Sequence, residues 1–169
     1  MAQSSNPARY DDVQRTGLQA TCARLHLAIG WWMLLLFLSL GFGLEVLHGF
    51  KAELYVDVAN STRRLMWRLS HAHGTLLSVV QLVFAVAVQS LTDWNTSRRA
   101  IASRALIAAG VLIPLGFFLG GIFTYDGDPG LGVLLVPLGA MLLFVAVLLT
   151  ALAAQFHFRA AGTVADRSD

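Results

Sequence analysis

Residues 131–156 read LGVLLVPLGAMLLFVAVLLTALAAQF and contain no charged side chain. About 20 consecutive apolar residues are enough for an α-helix to cross the ~30 Å hydrocarbon core of a bilayer. Three earlier stretches, residues 25–47, 69–91 and 105–124, are also long and predominantly apolar. The sequence therefore predicts four transmembrane helices.

The composition supports a membrane protein. Of the 169 residues, 56% are hydrophobic and 13% are charged, whereas a soluble domain carries about 25% charged residues. The four apolar stretches use most of the chain, so we predict one all-α domain over residues 24–158, an antiparallel four-transmembrane-helix bundle in a lipid bilayer. Residues 1–23 are predicted to form a polar N-terminal segment, and residues 159–169 a C-terminal tail.

The basic residues are distributed unevenly across the predicted membrane. We call side A the side with the N-terminus; with four spans it also holds the connection at residues 92–104 and the C-terminus, and side B holds the other two connections. Side A has eight basic residues and side B has four, namely Arg9, Arg15, Arg24, Arg98, Arg99, Arg104, Arg159 and Arg167 against Lys51, Arg63, Arg64 and Arg68. Because cytoplasmic loops carry the excess of Lys and Arg, both termini are predicted to be cytoplasmic, in a bacterial inner membrane. The basic residues flank the spans as this topology requires, so they do not indicate nucleic-acid binding.

Several ionisable side chains lie near the side-B ends of the first two spans. Glu45 and His48 are three residues apart and share a helix face, and His71 and His73 lie near the start of the second span. Ionisable groups within a span are costly and therefore indicate a functional site. Imidazole and carboxylate together suit zinc, copper or iron, so these four residues are predicted to bind a transition metal.

The two histidines of the second span cannot both face the other helices if that helix is regular. His71 and His73 differ by about 200° around the helix axis. His71 lies on a stripe of polar and small residues, each within about 40° of it around the helix axis. The other members of the stripe are Arg64, Thr75, Ser78, Ala85 and Gln89. His73 shares its side with Leu77 and Val80. We therefore predict that His71 faces the interior and that His73 joins it only if the helix is distorted or another span lies on that side.

Haem b is the alternative cofactor. Two histidines on different helices at matching depth can ligate haem in a membrane bundle. His26 begins the first span and His157 ends the fourth, both near side A. His48 with His71 or His73 would form the corresponding pair on side B. This layout resembles the general architecture of small membrane di-haem cytochromes, in the number and depth of the histidines only.

Small residues predict how the later spans pack and connect. Gly116 and Gly120 form a small-residue ridge on the third span, and Gly132 and Gly139 lie on the fourth. Residues 126–130, DGDPG, are dense in turn formers and predict a tight connection between these two spans.

The predicted function is that of an accessory, non-catalytic inner-membrane protein with a metal site near side B. Arg64 or Arg68 would tune Glu45 electrostatically, or would pair with it in a purely structural arrangement. Other membrane subunits or a second copy of the chain are the predicted partners, and a structural subunit of a larger complex is a further alternative. Enzymatic catalysis lacks support, because no Ser-His-acid set, phosphate loop or carboxylate pair lies at membrane depth. Transport is not favoured, because Glu45 lies close to side B rather than at mid-membrane.

Overall fold

The computed structural model describes residues 7–56, 61–91 and 94–165. In chain order its elements are α1 (Pro7–Gly49), α2 (Glu53–Val56), α3 (Ser61–Ser90), α4 (Thr96–Ile122), β1 (Thr124–Tyr125), β2 (Asp128–Pro129), a 3-10 turn (Leu131–Leu134) and α5 (Leu135–Ala165). Within these residues, four helices (α1, α3, α4 and α5) are long and apolar enough to cross a membrane, as expected of an integral membrane protein. The four predicted spans are thus confirmed as helices.

The helices extend beyond the apolar stretches that predicted them. α1 has 43 residues and is therefore ~65 Å long, about twice the thickness of the hydrocarbon core. It begins at Pro7, so most of the predicted polar N-terminal segment belongs to this helix. At the start of α4, the Asn95 side chain accepts hydrogen bonds from the backbone N–H groups of Ser97 and Arg98, at 3.0 and 3.2 Å. Such an N-cap begins a helix in polar sequence, outside the apolar stretch.

The long helices pack mainly on their neighbours in chain order, in a more open arrangement than the predicted bundle. α3 and α4 form a central pair; α1 packs mainly along α3, and α5 mainly along α4. In a closed bundle α1 and α5 would also pack along each other. Their free faces carry large apolar side chains, including Trp32 on α1 and Phe144 on α5, which are 72% and 68% exposed. Lipid solvates such side chains as well as protein does, so no hydrophobic force closes the bundle.

Glycines bring α4 and α5 close together, as predicted. A Cβ atom added to Gly116 would lie 2.9 Å from Cγ2 of Val136, and one added to Gly139 would lie 2.6 Å from Cγ1 of Ile113. Neither position has room for a side chain without movement of its neighbour. The short backbone distance between the two helices therefore depends on these glycines.

The connection before α5 is the tight turn that the sequence predicts. β1 and β2 pair antiparallel, with Tyr125 opposite Asp128. Between them Asp126 and Gly127 have φ angles of 48° and 92°. Two positive φ angles at the centre of a two-residue hairpin match the twist of the strands, and Asp-Gly is a favoured pair for this turn.

Candidate functional site

Near side B, a cavity of about 360 Å³ lies between the end of α1, the short helix α2 and the start of α3. We call it the side-B cavity, and it is lined by Leu38, Gly41, Phe42, Leu44, Glu45, Tyr55, Arg68 and His71. Two of the four predicted metal ligands, Glu45 and His71, are therefore brought to the same cavity.

The imidazole of His71 is held by α1. Its ring packs directly against Gly41, where an added Cβ would lie 2.7 Å from Nδ1. Nδ1 lies 2.7 Å from the backbone oxygen of Phe37. Because a carbonyl only accepts, Nδ1 carries the proton, and the neutral ring keeps a lone pair on Nε2. The structure confirms that His71 faces the interior, toward α1.

The charged groups of the side-B cavity are exposed. Glu45 lies one turn beyond Gly41 on α1, and both its side chain and that of Arg68 remain accessible. Arg64 does not line the cavity; it donates to the backbone oxygens of Tyr55 and Val56, at 3.4 and 3.1 Å. Of the two arginines predicted to act on Glu45, Arg68 is the one that shares its cavity, and Arg64 instead holds α2 to α3.

His48 and His73 do not line the side-B cavity. His48 is exposed near the end of α1, with its ring edge-on to Tyr55 at a centroid distance of 6.4 Å. Nδ1 of His73 lies 2.9 Å from the oxygen of Leu69 in the same helix. Its ring lies 4.8 Å from that of Phe117 on α4. His73 therefore faces another span, because a regular helix turns the two histidines to different sides.

The four predicted ligands consequently do not converge. Within residues 7–56, 61–91 and 94–165, no group of three or more His, Cys, Asp and Glu side chains is placed to hold a metal ion. The arrangement offers one imidazole and one carboxylate in an open cavity, with an arginine beside them.

Toward side A, a closed polar network joins three helices. His26 of α1 has no exposed surface. Its Nδ1 donates to Oε1 of Gln81 on α3, and its Nε2 accepts from Oγ of Ser103 on α4 at 2.8 Å. The Gln81 amide in turn donates to the oxygen of Leu106 at 3.2 Å. Both ring nitrogens of His26 thus have partners, and the network ties α1, α3 and α4 together.

This network does not fit the predicted haem ligation. A haem-ligating histidine needs one ring nitrogen for iron, and both nitrogens of His26 are hydrogen-bonded to side chains. His157 lies elsewhere, beside Trp94 and Arg98. On side B, the close packing of His71 against Gly41 likewise leaves no width for a porphyrin between α1 and α3.

Sequence reasoning missed Gln81 and Ser103. One signal was available, because an amide within an apolar span must find a partner that lipid does not supply. The stripe through His71 predicted that Gln89 lies inside, but Gln89 is exposed. Ser78 and Ala85 of the same stripe are fully buried.

A second cavity, of about 410 Å³, lies at side A between the start of α4 and the end of α5. We call it the side-A cavity; its lining is Trp94, Asn95, Arg98, Leu149, Leu152, Ala153, Phe156 and His157. Trp94 is only 7% exposed, and its indole N–H has no hydrogen-bond partner among the described residues. The centroid of its ring lies 5.7 Å from that of Phe84, and the centroid of the Phe84 ring lies 4.4 Å from that of His26.

No protein-family model, curated protein or solved structure matches this chain. Its function is therefore inferred from the arrangement of its own side chains.

Proposed function

We propose that the protein is an accessory, non-catalytic integral membrane protein that binds a divalent transition-metal ion in the side-B cavity. Glu45 and His71 would be its protein ligands. The observation that carries this proposal is the hydrogen bond from Nδ1 of His71 to the Phe37 oxygen, which leaves the lone pair of the ring on Nε2. Metal-ligating histidines are oriented in this way, by donating their other N–H to a carbonyl or carboxylate.

The donor set suits zinc, copper or iron, because each accepts imidazole nitrogen together with carboxylate oxygen. Two protein ligands leave coordination positions for water or an anion. Arg68 lines the same cavity, and its guanidinium is suited to pair with such an anion. The site is therefore expected to be exchangeable and exposed, unlike a closed structural zinc site with four protein ligands.

Titration of the purified, detergent-solubilised protein with Zn²⁺ or Co²⁺ tests the proposal. We expect one ion per chain, with binding weakened at least tenfold in His71→Ala and in Glu45→Gln, since about 1.4 kcal/mol lost from one ligand corresponds to that factor. His73→Ala is the matched control, because it removes an imidazole of the same helix that faces α4. Absence of binding, or equal loss in His73→Ala, would overturn the proposal.

A structural subunit of a larger membrane complex is the second candidate. The feature that favours it is the free face of α1, where Trp32 and Phe42 are 72% and 74% exposed and a helix of another subunit would take the place of lipid. Purification in a mild detergent with chemical crosslinking distinguishes the two functions. A stoichiometric partner together with absence of bound metal would favour the structural function.

A further inference from the structure

The side-A cavity combines an apolar wall with a polar one. Its apolar wall comes from one face of α5 and consists of Leu149, Leu152, Ala153 and Phe156. Its polar wall consists of Trp94, Asn95 and Arg98 at the start of α4, with His157. At about 410 Å³ it falls within the ~300–1,000 Å³ range of small-molecule sites.

The polar wall offers donors and positive charge. The indole N–H of Trp94 is buried, and no acceptor for it exists among the described residues. Burial of an N–H without an acceptor costs free energy, so a native structure usually supplies one. Arg98, four residues after Trp94, adds an exposed positive charge. The N-terminus of α4, capped by Asn95, adds partial positive charge at the same place.

The position of the cavity selects the kind of ligand. It lies where α4 begins and α5 ends, at the side-A boundary of the membrane-spanning helices. Trp is enriched at that depth in membrane proteins because its ring is apolar and its N–H is polar. Basic residues next to spans attract anionic lipid headgroups. A ligand that meets both walls has an anionic head and an apolar tail.

We infer that the side-A cavity binds an anionic phospholipid from the side-A leaflet. The phosphate accepts hydrogen bonds from the Trp94 indole and the Arg98 guanidinium, and an acyl chain lies along the α5 wall. The inference does not rest on the metal proposal, because the two cavities lie at opposite sides of the membrane and share no residue.

Native mass spectrometry of the full chain tests the inference, with dioleoyl phosphatidylglycerol and dioleoyl phosphatidylcholine added in parallel. We expect one phosphatidylglycerol retained per chain and no comparable retention of phosphatidylcholine. Trp94→Phe and Arg98→Gln should each weaken retention about tenfold, the factor that corresponds to one hydrogen bond to a charged group. Trp94→Phe keeps a ring against Phe84, so it removes the donor with little change in packing.

Two exposed residues near side A provide matched controls. Trp31 is 62% exposed, and Arg104 is exposed on α4, outside the cavity lining; Trp31→Phe and Arg104→Gln should leave retention unchanged. Equal retention of both lipids, or equal weakening by these controls, would refute the inference. Oleate bound in place of phosphatidylglycerol would refute the phospholipid assignment.

Discussion

His26 and His71 lie near opposite sides of the same membrane protein, and their surroundings differ in one decisive respect. His26 is fully buried, with one ring nitrogen bound to Gln81 and the other to Ser103. His71 is half-buried, with one ring nitrogen bound to the Phe37 oxygen, and the residue lines a cavity that Glu45 also lines. Both are histidines of membrane-spanning helices, but of the two it is His26 that has both ring nitrogens bound to side chains of other helices.

The difference separates structure from ligand binding. A polar group within a span is costly unless it is hydrogen-bonded, so a histidine whose partners all come from neighbouring helices stabilises their packing. A histidine with one hydrogen-bond partner is oriented by that bond and keeps its second ring nitrogen for a metal ion. Substitutions in the side-A network are thus expected to change stability alone, and substitution of His71 is expected to change metal affinity.

The largest effect is expected for His26→Leu. The substitution leaves Oε1 of Gln81 and Oγ of Ser103 without their imidazole partner inside the protein. Each unsatisfied buried group costs ~1–3 kcal/mol, so we expect roughly 2–4 kcal/mol less free energy of unfolding. SDS-induced unfolding followed by far-UV circular dichroism measures this quantity, and metal affinity should not change.

The double variant His26→Leu, Gln81→Leu sharpens this experiment. Replacing both partners by apolar groups removes the orphaned amide oxygen, so the double variant should be less destabilised than the sum of the two single variants. Strict additivity would show that the two side chains do not interact as the structure places them. Ser39→Ala serves as a control, because the Ser39 hydroxyl is exposed and donates to the Leu35 oxygen of its own helix.

A smaller effect on stability, with a clear effect on metal binding, is expected for Gly41→Ala. An added Cβ would lie 2.7 Å from Nδ1 of His71 and 2.9 Å from Nε2, so the ring must move. Overpacking of this kind costs ~1–3 kcal/mol, and displacement of the imidazole should weaken Zn²⁺ binding by about 10–100-fold, the usual effect of disturbing a ligand's support.

Gly43→Ala is the matched control for that prediction. It lies two residues further along α1, and an added Cβ there meets nothing within 4 Å. Ala is a better helix former than Gly by roughly 0.5–1 kcal/mol, so this variant should be neutral or slightly more stable. Equal loss of Zn²⁺ binding in both variants would show that Gly41 has no specific role in positioning the His71 ring.

The sequence predicts the fold better than it predicts the sites, for a physical reason. Length and hydropathy determine whether a stretch crosses a bilayer, and both are local, so residues 131–156 are recognised as a span without knowledge of any neighbour. The direction of His71 is also local, because it follows from a rotation of about 100° per residue. The separation of His73 from His71 follows from the same rule.

The residues that meet across helices depend on the relative axial position of the helices, which no local pattern contains. Gln81 meets His26 and Ser103 only because α1, α3 and α4 pack at particular axial offsets. The same limitation explains why Glu45, His48 and His71 are expected together but only Glu45 and His71 share a cavity. The ends of the helices were also missed, because polar sequence such as residues 7–24 continues α1 beyond the apolar stretch.

The smallest effect is expected for His48→Ala, which tests whether the proposed metal site has two protein ligands or three. His48 is exposed, and its ring lies edge-on to that of Tyr55 at a centroid distance of 6.4 Å. If the ion is held by Glu45 and His71 alone, Zn²⁺ affinity should fall by no more than about twofold, the range of an exposed substitution. A loss as large as that of His71→Ala would show that His48 rotates into the cavity as a ligand. Because His73→Ala removes an imidazole that faces α4, the difference between these two variants separates coordination by His48 from the general effect of losing an imidazole near side B.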